Sequence, residues 1–243
     1  MRQQQLKFGL EGKSQLRLGA MVNEAWQLSR RPNPWFILLA LLWFVIIYGG
    51  VTQLPELLMA QGLEQQQAKN LAALLATMIA APISASLDVM GLKVALGQRA
   101  DSLTLRQCVA QSWRIITLTL LFSLLVDLGL TLLLPGLFLL ICSSLSNLVL
   151  LYFGANPFNA LVWTIRAVFY RFSVVAGVLL GGAFAMALGA MSFGVLLIWL
   201  APFAMILRGI LFRELFGISA QGAEPSAHQA TVSRPVGDNY FDA

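Results

Sequence analysis

The sequence predicts an all-α fold: a polytopic integral membrane bundle of six transmembrane helices in three hairpins, with amphipathic interfacial helices on the cytoplasmic side. Three observations lead there. Of 243 residues, 58% are hydrophobic and only 11% charged, against roughly 25% charged in a soluble domain. Apolar runs of bilayer length recur along the chain, a span needing roughly 20 residues at about 1.5 Å each. Of the 16 Lys and Arg, every one but Lys69 falls on one side of a six-span arrangement.

Residues 1–34 form a cytoplasmic N-terminal segment with an amphipathic helix, in which Leu18, Met21, Val22, Ala25 and Trp26 share one face ahead of Pro32 and Pro34. This polar, basic stretch does not read as a cleaved leader, so the first apolar run is expected to stay as a span. The six spans are expected at 35–54, 71–96, 115–134, 137–153, 172–190 and 193–212, within a transmembrane domain covering 35–213. Their Leu-, Ala- and Gly-rich character is helical and lacks the alternation of barrel strands.

Two further spans are preceded by amphipathic segments. Leu105, Cys108, Val109, Ser112 and Trp113 precede the third, and Phe158, Leu161, Val162, Ile165, Val168 and Phe169 precede the fifth. The chain thus reads as three units, each an in-plane helix followed by a two-span hairpin. Trp26, Arg30, Arg31, Trp113, Arg114, Arg166 and Arg171 are the expected interfacial anchors, with rings at head-group depth and cations among phosphates. The outer connections are tight at Pro135–Gly136 and Met191–Ser192 and longer over the Gln-rich 55–70. Pro82 and Pro202 are expected to kink their spans. Residues 214–243 lack apolar periodicity and read as a disordered cytoplasmic tail.

The positive-inside bias makes the cation-bearing side cytoplasmic and puts both termini there. The net charge of +5 then reflects topology and attraction to anionic lipid head groups. Cations scattered over short loops beside a membrane do not suggest nucleic-acid binding.

Polar residues inside the spans raise the functional question. Thr119, Ser123, Asp127 and Thr131 recur every fourth residue and form a narrow stripe. Folding back at Pro135–Gly136 puts Ser144 opposite Asp127 and Asn147 beside Ser123, with Ser143 close by. An Asp at a span's centre costs about 2.5–3.5 kcal/mol, against a gain of very roughly 4–8 kcal/mol from the apolar residues around it. Asp127 is therefore either part of a proton, ion or head-group pathway or hydrogen-bonding glue across the hairpin. Ala76, Ala80, Ser84 and Asp88 form a similar row ending in a second intramembrane acid, expected near the cytoplasmic boundary and at a different depth from Asp127. Gly177, Gly181, Ala185 and Gly189 make a ridge suited to close helix contact, whether with another span or with another copy of the chain.

Chemistry motifs are lacking. His228 is the single histidine, Cys108 and Cys142 have no metal spacing, and neither GxSxG nor HExxH occurs. Ser143, Ser144 and Asp127 would need a histidine to act as a triad. No catalytic residue, metal or cofactor is expected.

The run "LEQQQAKNLAALLATMIAAPISASLDVMGLKVALGQRADSLTLRQ", the hairpin "LVDLGLTLLLPGLFLL" and "NPFNALVWTIRAVFYRF" resemble the YciC-type family of bacterial inner-membrane proteins. The resemblance covers roughly residues 63–213. It departs at "YFGANPFNA", which lacks the acidic segment the family often has there. It implies a Gram-negative inner membrane and supplies no catalytic residues. The sequence favours a non-enzymatic envelope protein that binds membrane lipids, a second copy of itself or another membrane protein. The alternative is a transporter or channel built on the polar stripe around Asp127.

Overall fold

The computed structural model describes residues 2–11, 17–30, 34–98, 103–130, 134–191 and 197–218. All its elements are helices: α1 (Arg2–Leu10), α2 (Leu18–Ser29), α3 (Pro34–Ala60), α4 (Gln65–Ala95), α5 (Leu103–Ala110), α6 (Ser112–Leu130), α7 (Leu134–Ser143), α8 (Ser146–Phe153), α9 (Pro157–Phe169), α10 (Phe172–Met191) and α11 (Leu197–Phe216).

Helix α4 is the axis of the bundle, and its small residues make it so. Ala68, Ala72, Ala76 and Ala80, one turn apart, are all buried. They let α3 approach until a Cβ on Gly50 would collide with Ala76. Further along, α4 crosses α11 backbone to backbone, where a Cβ on Gly209 would lie 2.5 Å from the Gly91 carbonyl. Such contacts matter in lipid, where van der Waals fit replaces the hydrophobic effect as the force between helices. At one end of α11, Phe212 and Phe216 pack at a tilt against Phe153 of α8, with the Phe212–Phe216 centroids 4.7 Å apart and Phe153–Phe216 5.3 Å apart. Helix α1, which the sequence reading did not anticipate, covers this cluster by setting Gly9 against Phe216 and Phe8 against Gly217.

Helices α3 and α4 are long and apolar enough to cross a membrane, the mark of a membrane protein. The outward face of α3 exposes Leu38, Leu41, Val45, Tyr48 and Val51, as a lipid-facing surface requires. Two further candidates are bent pairs: α5 meets α6 at 73°, and α9 meets α10 at 105°. Six spans were expected. By length and composition the described residues supply two, or four if each bent pair counts as one. The expected fourth span divides at Ser144–Leu145 into α7 and α8, each too short to cross alone.

Other boundaries also moved. The expected loop at 55–70 shrinks to 61–64, because α3 runs on through a buried Pro55 and α4 starts at Gln65. Gly62 makes that turn with φ +92°, a left-handed conformation that suits glycine. Helices α4 and α11 run unbroken through Pro82 and Pro202. The expected tail at 214–243 begins as structure: α11 continues to Phe216, and both Leu215 and Phe216 are fully buried. Residues 219–243 lie outside the described residues.

Candidate functional site

Two groups of polar side chains emerge, one inside the bundle and one along its rim. Inside, Asp88 of α4 is buried at 4% exposure. Arg208 of α11 lies 3.6 Å from its Oδ1, and Asn147 of α8 donates to its Oδ2 at 3.5 Å. Oδ1 itself is buried and accepts no hydrogen bond. The Gly91–Gly209 crossing explains the meeting, since Asp88 sits about one turn before Gly91 and Arg208 is next to Gly209. About a turn further along α11, Arg213 grips Glu24 of α2 with Nη1 at 2.6 Å and Nη2 at 2.8 Å, and donates to the Ala95 carbonyl at 2.8 Å. A fork on a carboxylate is the strongest geometry such a pair has, and it joins α2, α4 and α11. Lys93 donates to Thr104 at 2.8 Å and joins α4 to α5. Burial pushes the Cys108 thiol up to about 11, so it stays protonated and a poor nucleophile.

Along the rim, each amphipathic helix is split lengthwise. In α2, Met21 and Ala25 are buried while Leu18, Val22 and Trp26 are exposed. At the α5–α6 bend, Cys108 is buried while Val109 is exposed and Trp113 is 79% exposed. In α9, Leu161 and Val168 are buried while Phe158, Val162 and Phe169 are exposed. Cations flank the open edges. The Arg30 guanidinium lies 5.8 Å over the Trp26 ring, and Arg166 is exposed between Val162 and Phe169. Asn156 and Pro157 start α9 in the way a proline at the first helical position favours. Its far end breaks at Tyr170–Arg171 and opens a shallow groove of about 290 Å³ lined by Val162, Ile165, Arg166, Phe169 and Tyr170.

Some of the residues expected around Asp127 have described partners. Thr119 donates to the Ile115 carbonyl and Ser144 to the Ile141 carbonyl, both at 2.9 Å, so these hydroxyls are used by their own helices. Asn147 donates to Asp88 of α4. Ser123 is half-buried on α6. Thr131 and Arg31 lie outside the described residues, as do the side chains of Asp127, Ser143 and Ala185 and the surroundings of Gly189.

The Gly177–Gly181 part of the expected ridge on α10 is open among the described residues: a Cβ on Gly181 would meet nothing within 4 Å, and one on Gly177 only Leu18 at 3.8 Å. Close glycine contact occurs at Gly91–Gly209, and across the α6–α7 hairpin, where a Cβ on Gly129 would lie 2.7 Å from the Gly136 Cα. Arg114, read as an interfacial anchor, turns inward and caps α8 at the Gly154 and Ala155 carbonyls, at 3.1 and 2.6 Å. The Glu24–Arg213 clasp was missed, since 189 residues separate its partners and no spacing announces it. Among the described residues, no cluster of His, Cys, Asp and Glu could hold a metal ion.

Comparison of the chain with protein families, curated proteins and solved structures finds no match.

Proposed function

We propose that the chain is a multi-pass inner-membrane protein without enzymatic activity, whose amphipathic helices bind membrane lipids in the service of envelope homeostasis. One observation carries this reading: α2, the α5–α6 bend and α9 each hold the bundle by one edge and present apolar and aromatic side chains near cations along the other. An interfacial helix needs that division, with its rings among acyl-chain ends and its cations among phosphates. The bends of 73° and 105° fit helices lying in the membrane plane before their spans. In this reading α3, α4, α6, the α7–α8 pair, α10 and α11 make six crossings. The cation-bearing side, with both termini, is cytoplasmic. The resemblance to the YciC-type family belongs to the same proposal, and the open Gly177–Gly181 face leaves room for a second copy or another membrane protein. Mass spectrometry of lipids that co-purify with the protein tests the proposal: anionic phospholipid should be enriched over the host membrane, and unenriched lipid would refute it.

A transport reading draws on the buried Oδ1 of Asp88, which accepts no hydrogen bond, and on the stripe around Asp127, since intramembrane acids often mark ion pathways. Proteoliposomes no leakier than empty vesicles to protons, cations and small solutes would end it.

A further inference from the structure

The α9–α10 bend carries two guanidiniums in a long stretch without acids. From Gly154 to Arg213 the sequence contains no Asp or Glu. Arg166 is exposed on the wall of the groove and makes no ion pair among the described residues. Arg171, at the bend, has a buried Nε with no hydrogen-bond partner. An unpaired buried donor is costly, and the flexible side chain gains by turning its fork toward an external anion. Arginine's planar fork matches a phosphate better than a lysine does. Phe169 and Tyr170 complete the setting. Both are exposed beside the arginines, and the amphipathic tyrosine ring is at home at head-group depth.

We infer that Arg166 and Arg171 form a binding site for the phosphate of an anionic glycerophospholipid, with its acyl chains lying along Val162 and Phe169. The inference rests on the lipid-binding reading above and names the place and the head-group class. A soluble phosphate would find the two cations but would gain nothing from the apolar wall.

The test uses the full-length protein, stripped of lipid in mild detergent, titrated with dioleoylphosphatidylglycerol in mixed micelles and read by native mass spectrometry. Arg166→Gln/Arg171→Gln should weaken the tightest bound lipid by about tenfold or more, as loss of charge-assisted hydrogen bonds implies. Lys69→Gln, near the start of α4, should leave it unchanged, and neither dioleoylphosphatidylcholine nor inorganic phosphate should compete. Arg171 is half-buried, so Arg166→Glu alone repeats the test on an exposed residue and should also lose the lipid. If the wild type binds phosphatidylglycerol and these variants bind it equally well, the site is refuted while the lipid-binding reading stands. If inorganic phosphate displaces the lipid fully, the site is a plain anion site and the inference fails. If the wild type binds no phosphatidylglycerol, both readings fall together.

Discussion

Arg208 and Arg213 on α11, and Arg166 and Arg171 at the α9–α10 bend, are two pairs of arginines with the same five-residue spacing. The first pair is answered from within: Asp88 faces Arg208, and Glu24 and Glu214 hold Arg213. The second pair meets no carboxylate among the described residues, and its surroundings are exposed rings. Spacing and residue type are identical, so the neighbouring helix decides the role. Where α4 and α2 bring acids against α11, arginine ties helices together. Where α9 turns its open edge outward, arginine is left for something outside the chain.

The largest effect should come from breaking the crossing that holds the first pair in place. Gly209→Leu or Gly91→Val forces a side chain into backbone and should cost about 3 kcal/mol or more, seen as a sharp fall in Tm in detergent. The glycine face of α10 sharpens the contrast. Gly181→Ala meets open space and should change stability by no more than about 1 kcal/mol, with helix propensity favouring alanine.

The Glu24–Arg213 clasp comes next. Glu24→Gln should cost about 2 kcal/mol, below the range for fully buried pairs because Glu24 is 38% exposed. A double-mutant cycle with Arg213→Gln should show strong coupling, and additive effects would show that the clasp is not holding α2.

The smallest stability effect belongs to the second pair. Without lipid, Arg166→Gln should shift stability by less than about 0.5 kcal/mol, as for an ordinary surface change. The rise in Tm on adding phosphatidylglycerol should nevertheless shrink. A large loss of lipid-free stability would place Arg166 with the internal arginines.

Several of these features could be read in the sequence. The apolar runs that became α3 and α4 have the length and composition of spans. The three amphipathic segments were visible because residues such as Leu18, Val22 and Trp26 recur at helical spacing, although that spacing could not show which edge would be covered. Asn147 has a partner that counting along the hairpin did not reveal. Counting residues back from Pro135–Gly136 assumes one straight helix, and the chain breaks at Ser144–Leu145, which sends Asn147 toward α4. Thr119 was read as part of the polar stripe and Ser144 as lying opposite Asp127, but a carbonyl of the same helix is always within reach of such a hydroxyl. The meeting of Gly91 with Gly209, and of Glu24 with Arg213, depends on how distant helices cross, and local sequence carries no signal for that.

The most direct test of the interfacial reading uses Trp113, which is 79% exposed at the α5–α6 bend. With the other tryptophans replaced by phenylalanine, the protein would be reconstituted into vesicles whose phospholipids carry bromine at defined acyl positions. Its fluorescence should be quenched most by bromines nearest the head group and little by aqueous iodide. Strong iodide quenching with none by any brominated lipid would put Trp113 in water and contradict the account.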